Sequence, residues 1–231
     1  MNDYPIRRLE ADFDVAEVRQ RYLALSTGQV YDTLSAQDLK GRAMAPGIYP
    51  LVHTMKVAGP AFTVQALATP DMGPVNVRLG MVASITEGCV QIRNGGGNLN
   101  AGHFGEVNAT AARAAGCTGA ILDGSTRDSG LLIEMGFPTF CRFRCPVESF
   151  GRYMVTDYQV PILVQGVDGL LRVDPGDFLL GDNDGVVVVP RELTLTILER
   201  AEERAGRESE GRDDVARGVS PLTVQERIGR F

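Results

Sequence analysis

The chain has 231 residues, 44% of them hydrophobic and 23% charged, enough to close one sizeable core, and it reads as one compact domain. Its 23 basic and 29 acidic residues give a formal charge of −6, which argues against a surface that neutralises nucleic-acid phosphates or anionic lipid. No apolar run approaches the roughly 20 residues of a membrane helix, and residues 1 to 10 lack the apolar region of a signal peptide, so a cytoplasmic protein with a small-molecule or protein partner is expected.

Residues 12 to 25 place Val15, Val18, Tyr22 and Leu25 at helical spacing, which predicts an amphipathic N-terminal helix over 1–25. Thr27 is the expected cap of a second short helix through Val30 and Leu34. Residues 54 to 69 are strand-like but broken at Gly59-Pro60, and 75 to 86 resemble a helix.

The next stretch carries the chemistry. Residues 88 to 93 alternate as a strand and run into Asn94-Gly95-Gly96-Gly97-Asn98, a loop without the GxGxxG or GK[ST] pattern of a nucleotide site, suited instead to close approach of a ligand to backbone. Residues 105 to 115 form an Ala-rich helix that stops at Gly116, and 119 to 122 a buried strand that leads to Arg127-Asp128. Strand, helix and strand in about 35 residues make a right-handed βαβ unit with parallel strands. Both loops then leave the same sheet edge, where open α/β sheets bind ligands.

At that edge Glu106 sits in the first helical turn, where the dipole favours a carboxylate, and the amides of Val107 and Asn108 offer an anion site. A bound carboxylate and Glu106 would compete for that positive end. A surface ion pair would account for Arg127-Asp128; two carboxylates facing one another beside a guanidinium also suit a divalent metal with an anionic substrate. His103 reads as a solvated loop residue, with a donor supporting the site residues as the alternative, and Cys141 and Cys145 lack a third soft ligand. Cys89, Cys117, Cys141 and Cys145 are expected to be reduced and mostly buried.

After a helix near 129 to 136 the chain turns to β-structure, with Asp182-Asn183-Asp184-Gly185 joining the last two strands as a hairpin turn. A final helix from Glu192 turns Leu193, Ile197, Leu198 and Ala201 inward. The α/β domain is thus placed at 26–204. Residues 205–231 are a charged, glycine-containing extension, either frayed or packed on a neighbouring subunit.

The acidic residue at Glu106, twenty intervening residues and Arg127-Asp128 resemble the RraA-like family, which includes class II 4-hydroxy-4-methyl-2-oxoglutarate / 4-carboxy-4-hydroxy-2-oxoadipate aldolases. NGGGN, ATAARAAGCTGAILDGSTRD, Gly136-Phe137-Pro138 and PGDFLLGDNDGVVVVP extend the likeness over roughly Leu25 to Gly218. The resemblance implies an αββα-layered, swivelling-domain type of fold, a homotrimer or dimer of trimers, and an interface site using Mg²⁺ or Mn²⁺. It implies that Asp128 contacts the metal and that Arg127 binds the substrate's keto and carboxylate oxygens. The helix start at Gly105, Glu106, Val107 and Asn108 would hold the pyruvyl carboxylate. Asn76 matches a substrate-binding asparagine, and a glutamate donated by a neighbouring subunit matches Glu208, with Glu203 and Glu210 as further candidates. Two departures stand out: Glu106 replaces the aldolases' Asp, and Thr126 precedes Arg127 where valine is common.

The activity implied is cleavage of a 4-hydroxy-2-oxo acid to pyruvate and a carbonyl product, with oxaloacetate decarboxylation through the same enolate. Lys40 and Lys56 are the only lysines and lie outside the motif, so an imine route is disfavoured. The alternatives are a protein inhibitor of ribonuclease E and a lyase or hydratase acting on a sugar-derived acid.

Overall fold

The computed structural model describes residues 5–71, 75–95, 98 and 100–228. In chain order it contains α1 (Val15–Ala24), α2 (Thr27–Ser35), β1 (Tyr49–Pro50), β2 (Val57–Leu67), α3 (Val75–Ala83), β3 (Val90–Asn94), α4 (Glu106–Ala114), β4 (Gly119–Thr126), α5 (Ser129–Glu134), β5 (Thr139–Arg144), β6 (Met154–Tyr158), β7 (Ile162–Gly166), β8 (Gly169–Val173), β9 (Phe178–Asp182), β10 (Gly185–Val189), α6 (Thr194–Ala216) and α7 (Pro221–Ile228).

Local chemistry sets the boundaries. Asp14 caps α1 by accepting the amides of Ala16 and Glu17. A capping box opens α2, in which the Ser26 hydroxyl accepts the Gln29 amide at 3.2 Å and the Gln29 side chain accepts the Ser26 amide at 3.0 Å. The cap therefore lies one residue before the expected Thr27. Thr27 is already helical, and its amide and hydroxyl both donate to Asp182, at 2.8 and 2.7 Å.

Gly59-Pro60 does not break β2, contrary to the sequence reading; it marks a change of partner. Residues Val57 to Pro60 pair antiparallel with β9, and Ala61 to Val64 pair parallel with β3. A side chain at position 59, where φ is +155°, would meet the Gly88 carbonyl at 2.3 Å, so only glycine fits.

The sheet runs β1-β5-β4-β3-β2-β9-β10, with β6 also on β2, and the β7–β8 hairpin stands apart. Strands β2 to β5 are parallel neighbours, joined through α3, α4 and α5, and β3–α4–β4 is the expected βαβ unit. Three cores define the layers. Phe62, Val64 and Leu122 pack with Ala109, Ala112 and Leu132 of the α4 and α5 side. On the opposite face Ile92, Ile121 and Phe140 meet Val164 and Val173 of the hairpin and Val186 and Val188 of β10. Phe178, Leu180, Val187 and Val189 then face Tyr22, Leu34, Ile197 and Leu198 of α1, α2 and α6. Helices, sheet, second β-layer and helices stack in that order, the αββα arrangement.

The charged extension begins as a continuation of α6, which runs unbroken through residue 204 to Ala216. It is helical here rather than frayed. Among the described residues no helix is long and apolar enough to cross a membrane. All four cysteines are free, and Cys89, Cys117 and Cys141 are buried.

Candidate active site

The site forms because β4 and the segment before α4 run side by side. The His103 amide donates to the Ser125 carbonyl (2.9 Å), the Arg127 amide to the Phe104 carbonyl (2.9 Å), and the Thr126 hydroxyl to the same carbonyl (2.9 Å). A cavity of about 110 Å³ opens there, with Gly102, Phe104, Gly105, Val107, Asn108, Arg127 and Asp128 in its wall. Gly105 has no room for a side chain, since a Cβ would lie 2.4 Å from Asp128 Oδ2.

Asp128 holds a left-handed backbone, φ 55° and ψ 32°, a conformation that costs a non-glycine residue on the order of 1 kcal/mol and concentrates at functional sites. This turn aims its carboxylate at α4. Its Oδ2 accepts the Glu106 amide at 3.2 Å and lies 3.3 Å from Arg127 Nε. Both side chains stay partly open to solvent, Arg127 at 40% and Asp128 at 32%.

The two carboxylates do not face each other as the spacing suggested. Glu106 turns along its own helix, where Oε1 accepts the Thr110 hydroxyl at 2.8 Å, and it does not line the cavity. The expected competition at the helix start is resolved by this turn and by Asp128 taking the Glu106 amide. Gly105 at the N-cap has no side chain to offer α4, so beyond the Glu106 amide taken by Asp128 the helix start leaves the amides of Val107 and Asn108, both residues of the cavity wall, as donors.

The wall residues from outside the βαβ segment, Arg78, Glu148, Ser149 and Phe150, escaped the sequence reading. They come from α3 and from the loop between β5 and β6, distant in sequence and without a motif. Arg78 packs its guanidinium over the Phe150 ring, 5.2 Å from the centroid. Asn76 lies in the first turn of α3, but its side chain is outside the described residues.

His103 contradicts its expected solvated role. It is 4% exposed, because pairing of residues 102 and 103 with Ser125 draws it under the loop. Burial, reinforced by the Arg93 charge, pushes its pKa down to about 4. Glu208 is held in its own chain, accepting from Arg204 Nε at 2.8 Å and Gln29 Nε2 at 3.3 Å, and does not line the cavity.

Among the described residues of one chain, no three His, Cys, Asp or Glu side chains gather as a metal centre. The donors that the cavity does supply, the Asp128 and Glu148 carboxylates, are hard oxygens of the kind that Mg²⁺ or Mn²⁺ takes together with water. The donor chemistry fits such an ion.

Comparison with known proteins supplies the context. The profile of the RraA-like family, described as Aldolase/RraA, matches residues 27–188. A Halorhodospira halophila protein named "Putative 4-hydroxy-4-methyl-2-oxoglutarate aldolase" is 31% identical over 155 residues, covering 67% of this chain and 88% of its own. Protein DlpA of Legionella pneumophila is 23% identical over 200 residues, 86% of this chain, which spans only 32% of DlpA. Among solved structures, Streptomyces coelicolor RraAS2, described as an unusual member of the RNase ES inhibitor RraA protein family, superposes with a TM-score of 0.76. It is 24% identical, and the match covers 88% of this chain and 98% of that one.

Proposed function

The chain belongs to the RraA-like family, and from that premise we propose that it is a divalent-metal-dependent class II pyruvate aldolase, cleaving a 4-hydroxy-2-oxo acid to pyruvate and a carbonyl product. The observation that carries this reading is the meeting of Arg127, Asp128 and the start of α4 in one cavity. A ribonuclease inhibitor requires a binding surface and does not depend on that meeting. The H. halophila relative bears an aldolase name.

In this reading the amides of Val107 and Asn108 hold the substrate's C1 carboxylate at the positive end of α4. Arg127 presents its guanidinium fork to the C1 carboxylate and C2 keto oxygens. Mg²⁺ or Mn²⁺ held by Asp128 would supply Lewis-acid polarisation of the same keto group. The C4 hydroxyl proton passes to a carboxylate of the wall. Asp128 is engaged by Arg127 and the Glu106 amide, whereas Glu148 has no ion pair among the described residues, so Glu148 takes the proton. The C3–C4 bond breaks, its electron pair becomes the enolate of pyruvate, and C4 leaves as a ketone or aldehyde. Arg127 and the helix-start amides stabilise the negative charge that develops. Oxaloacetate would lose CO₂ through the same enolate.

We place this site at an interface of a homotrimer or dimer of trimers. Since Glu208 is bound within its own chain, Glu203 and Glu210, exposed on α6, are the glutamates free to be donated to a neighbour. The reading is tested by assaying pyruvate release from 4-hydroxy-4-methyl-2-oxoglutarate and from oxaloacetate with Mg²⁺ and with EDTA. Metal-dependent release supports it, and the absence of release from either substrate would sink it.

A further inference from the structure

The parallel strands β2 to β5 carry a second group of polar side chains at their carboxyl ends, on the sheet face away from the Arg127 and Asp128 cavity. Thr63, Ile92, Ile121 and Phe140 stand side by side across these strands, and Ile92, Ile121 and Phe140 of this row pack toward the β7–β8 hairpin. Side chains alternate along a strand, so two residues further on Gln65, Asn94, Asp123 and Arg142 continue the same face. All of them line a cavity of about 650 Å³, whose wall also holds Leu163 and Gln165 of the hairpin. Open α/β sheets bind ligands at this edge, and the aldol cleavage described above uses none of these residues.

The wall is built around one unsatisfied donor. Asp123 Oδ1 accepts Arg142 Nε, its Oδ2 accepts the Gln165 amide at 2.7 Å, and Arg142 Nη1 donates to the Pro46 carbonyl at 3.1 Å. Arg142 Nη2 is buried, and among the described residues it has no hydrogen-bond partner. Buried donors of this kind normally find one. The neighbouring side-chain amides are held in place, Asn94 Oδ1 by the Ala66 amide at 2.7 Å and Gln65 Nε2 by the Ala66 carbonyl at 3.1 Å. Gly95 also belongs to the wall, and a side chain there would collide with the Asp123 carbonyl, so the glycine-rich loop opens onto this cavity. Leu67, Phe143 and Leu163, each about half exposed, make the apolar part of the lining.

We propose that this cavity binds an uncharged planar ring that carries a carbonyl oxygen, the chemistry shared by nucleobases and aromatic amides. Asp123 already compensates Arg142, so a second anion would gain little attraction and would meet a carboxylate. A cation would meet the guanidinium, and a purely apolar molecule would leave Nη2 unpaired. A neutral carbonyl gives Nη2 its acceptor without adding a charge. The Gln65 and Asn94 amides can hydrogen-bond the polar edge of such a ring, while Phe143, Leu67 and Leu163 offer its faces apolar contact. The volume lies within the roughly 300–1,000 Å³ of small-molecule sites. The proposal does not depend on the aldolase reading.

The test is a ligand-detected NMR titration of the full chain with uracil and nicotinamide, which carry the carbonyl, nicotinate, which replaces the amide with an anion, and pyridine, which lacks the group. At least one carbonyl probe should bind about fivefold or more tightly than both nicotinate and pyridine, and the tighter of the two shows whether a nucleobase or an aromatic amide is the better fit. Arg142→Lys keeps a cation beside Asp123 but removes Nη2, and Phe143→Ala removes an exposed ring without touching the core. Each should weaken that probe by about fivefold or more, and Phe143→Ala should leave the thermal midpoint unchanged. Equal binding of pyridine, tighter binding of nicotinate, or unchanged affinity in both variants overturns the proposal. No binding by any probe also overturns it, and a lower oligomeric state in Phe143→Asp would then give the face to a second copy of the chain.

Discussion

The carboxylate of Asp128 accepts the backbone amide of Glu106 at 3.2 Å, so an acidic side chain from the end of β4 closes on the positive end of α4. The contact needs the left-handed turn at Asp128 and the bare Gly105 in front of it. Asp128→Asn should keep this arrangement, because asparagine tolerates the left-handed region and retains an acceptor oxygen. It removes the charge. Pyruvate release should fall by about 100-fold or more, with the thermal midpoint within about 3 °C of wild type. Both are read on the same preparation.

Glu148 is expected to take the C4 hydroxyl proton. Glu148→Gln should lower kcat by about 100-fold with little change in KM. A rise in KM alone would instead mark Glu148 as a binding residue.

Asp182 ties the β9–β10 turn to the start of α2 by accepting from the Thr27 amide, the Thr27 hydroxyl and the Asp184 amide. Replacing it with alanine leaves two buried Thr27 donors without an acceptor. Asp182→Ala should destabilise the fold by about 2–3 kcal/mol, seen as a fall of roughly 4–10 °C in the thermal midpoint.

His103 gives the fold a sensitivity to acid. Its pKa is near 4 in the folded chain and about 6.5 unfolded, so between these values the unfolded state binds more protons. Stability from the neutral, buried ring is present above pH 6.5 and is lost as the pH falls toward 4, by an amount on the order of 2–3 kcal/mol. Urea unfolding at pH 7 and pH 4.5 should show a larger acid loss in wild type than in His103→Gln.

Much of the layout was legible because it is periodic or local. The βαβ unit, the stop at Gly116 and the hairpin at Asp182 to Gly185 follow from apolar spacing and turn residues, and the structure shows each. The sequence missed what depends on a distant partner. Gly59-Pro60 reads as a break until β9 and β3 are seen to meet there. His103 looks solvated until Ser125 draws its backbone in, and Thr27 reads as a cap because Asp182 lies 155 residues away. At the site, motif and helix start placed Arg127, Asp128 and the α4 amides at one sheet edge. The direction of the Glu106 side chain, set by Thr110, and the arrival of Arg78 and Glu148 from unpatterned segments had no local signal.

Arg127 is the proposed grip on the 2-oxo acid. The direct measurement is pyruvate release from 4-hydroxy-4-methyl-2-oxoglutarate by wild type and Arg127→Ala, each with Mg²⁺ and each with EDTA. The prediction is turnover in wild type that EDTA abolishes and Mg²⁺ restores, falling at least about 100-fold in a folded Arg127→Ala protein. Turnover that persists in EDTA, or that Arg127→Ala leaves intact, would contradict it.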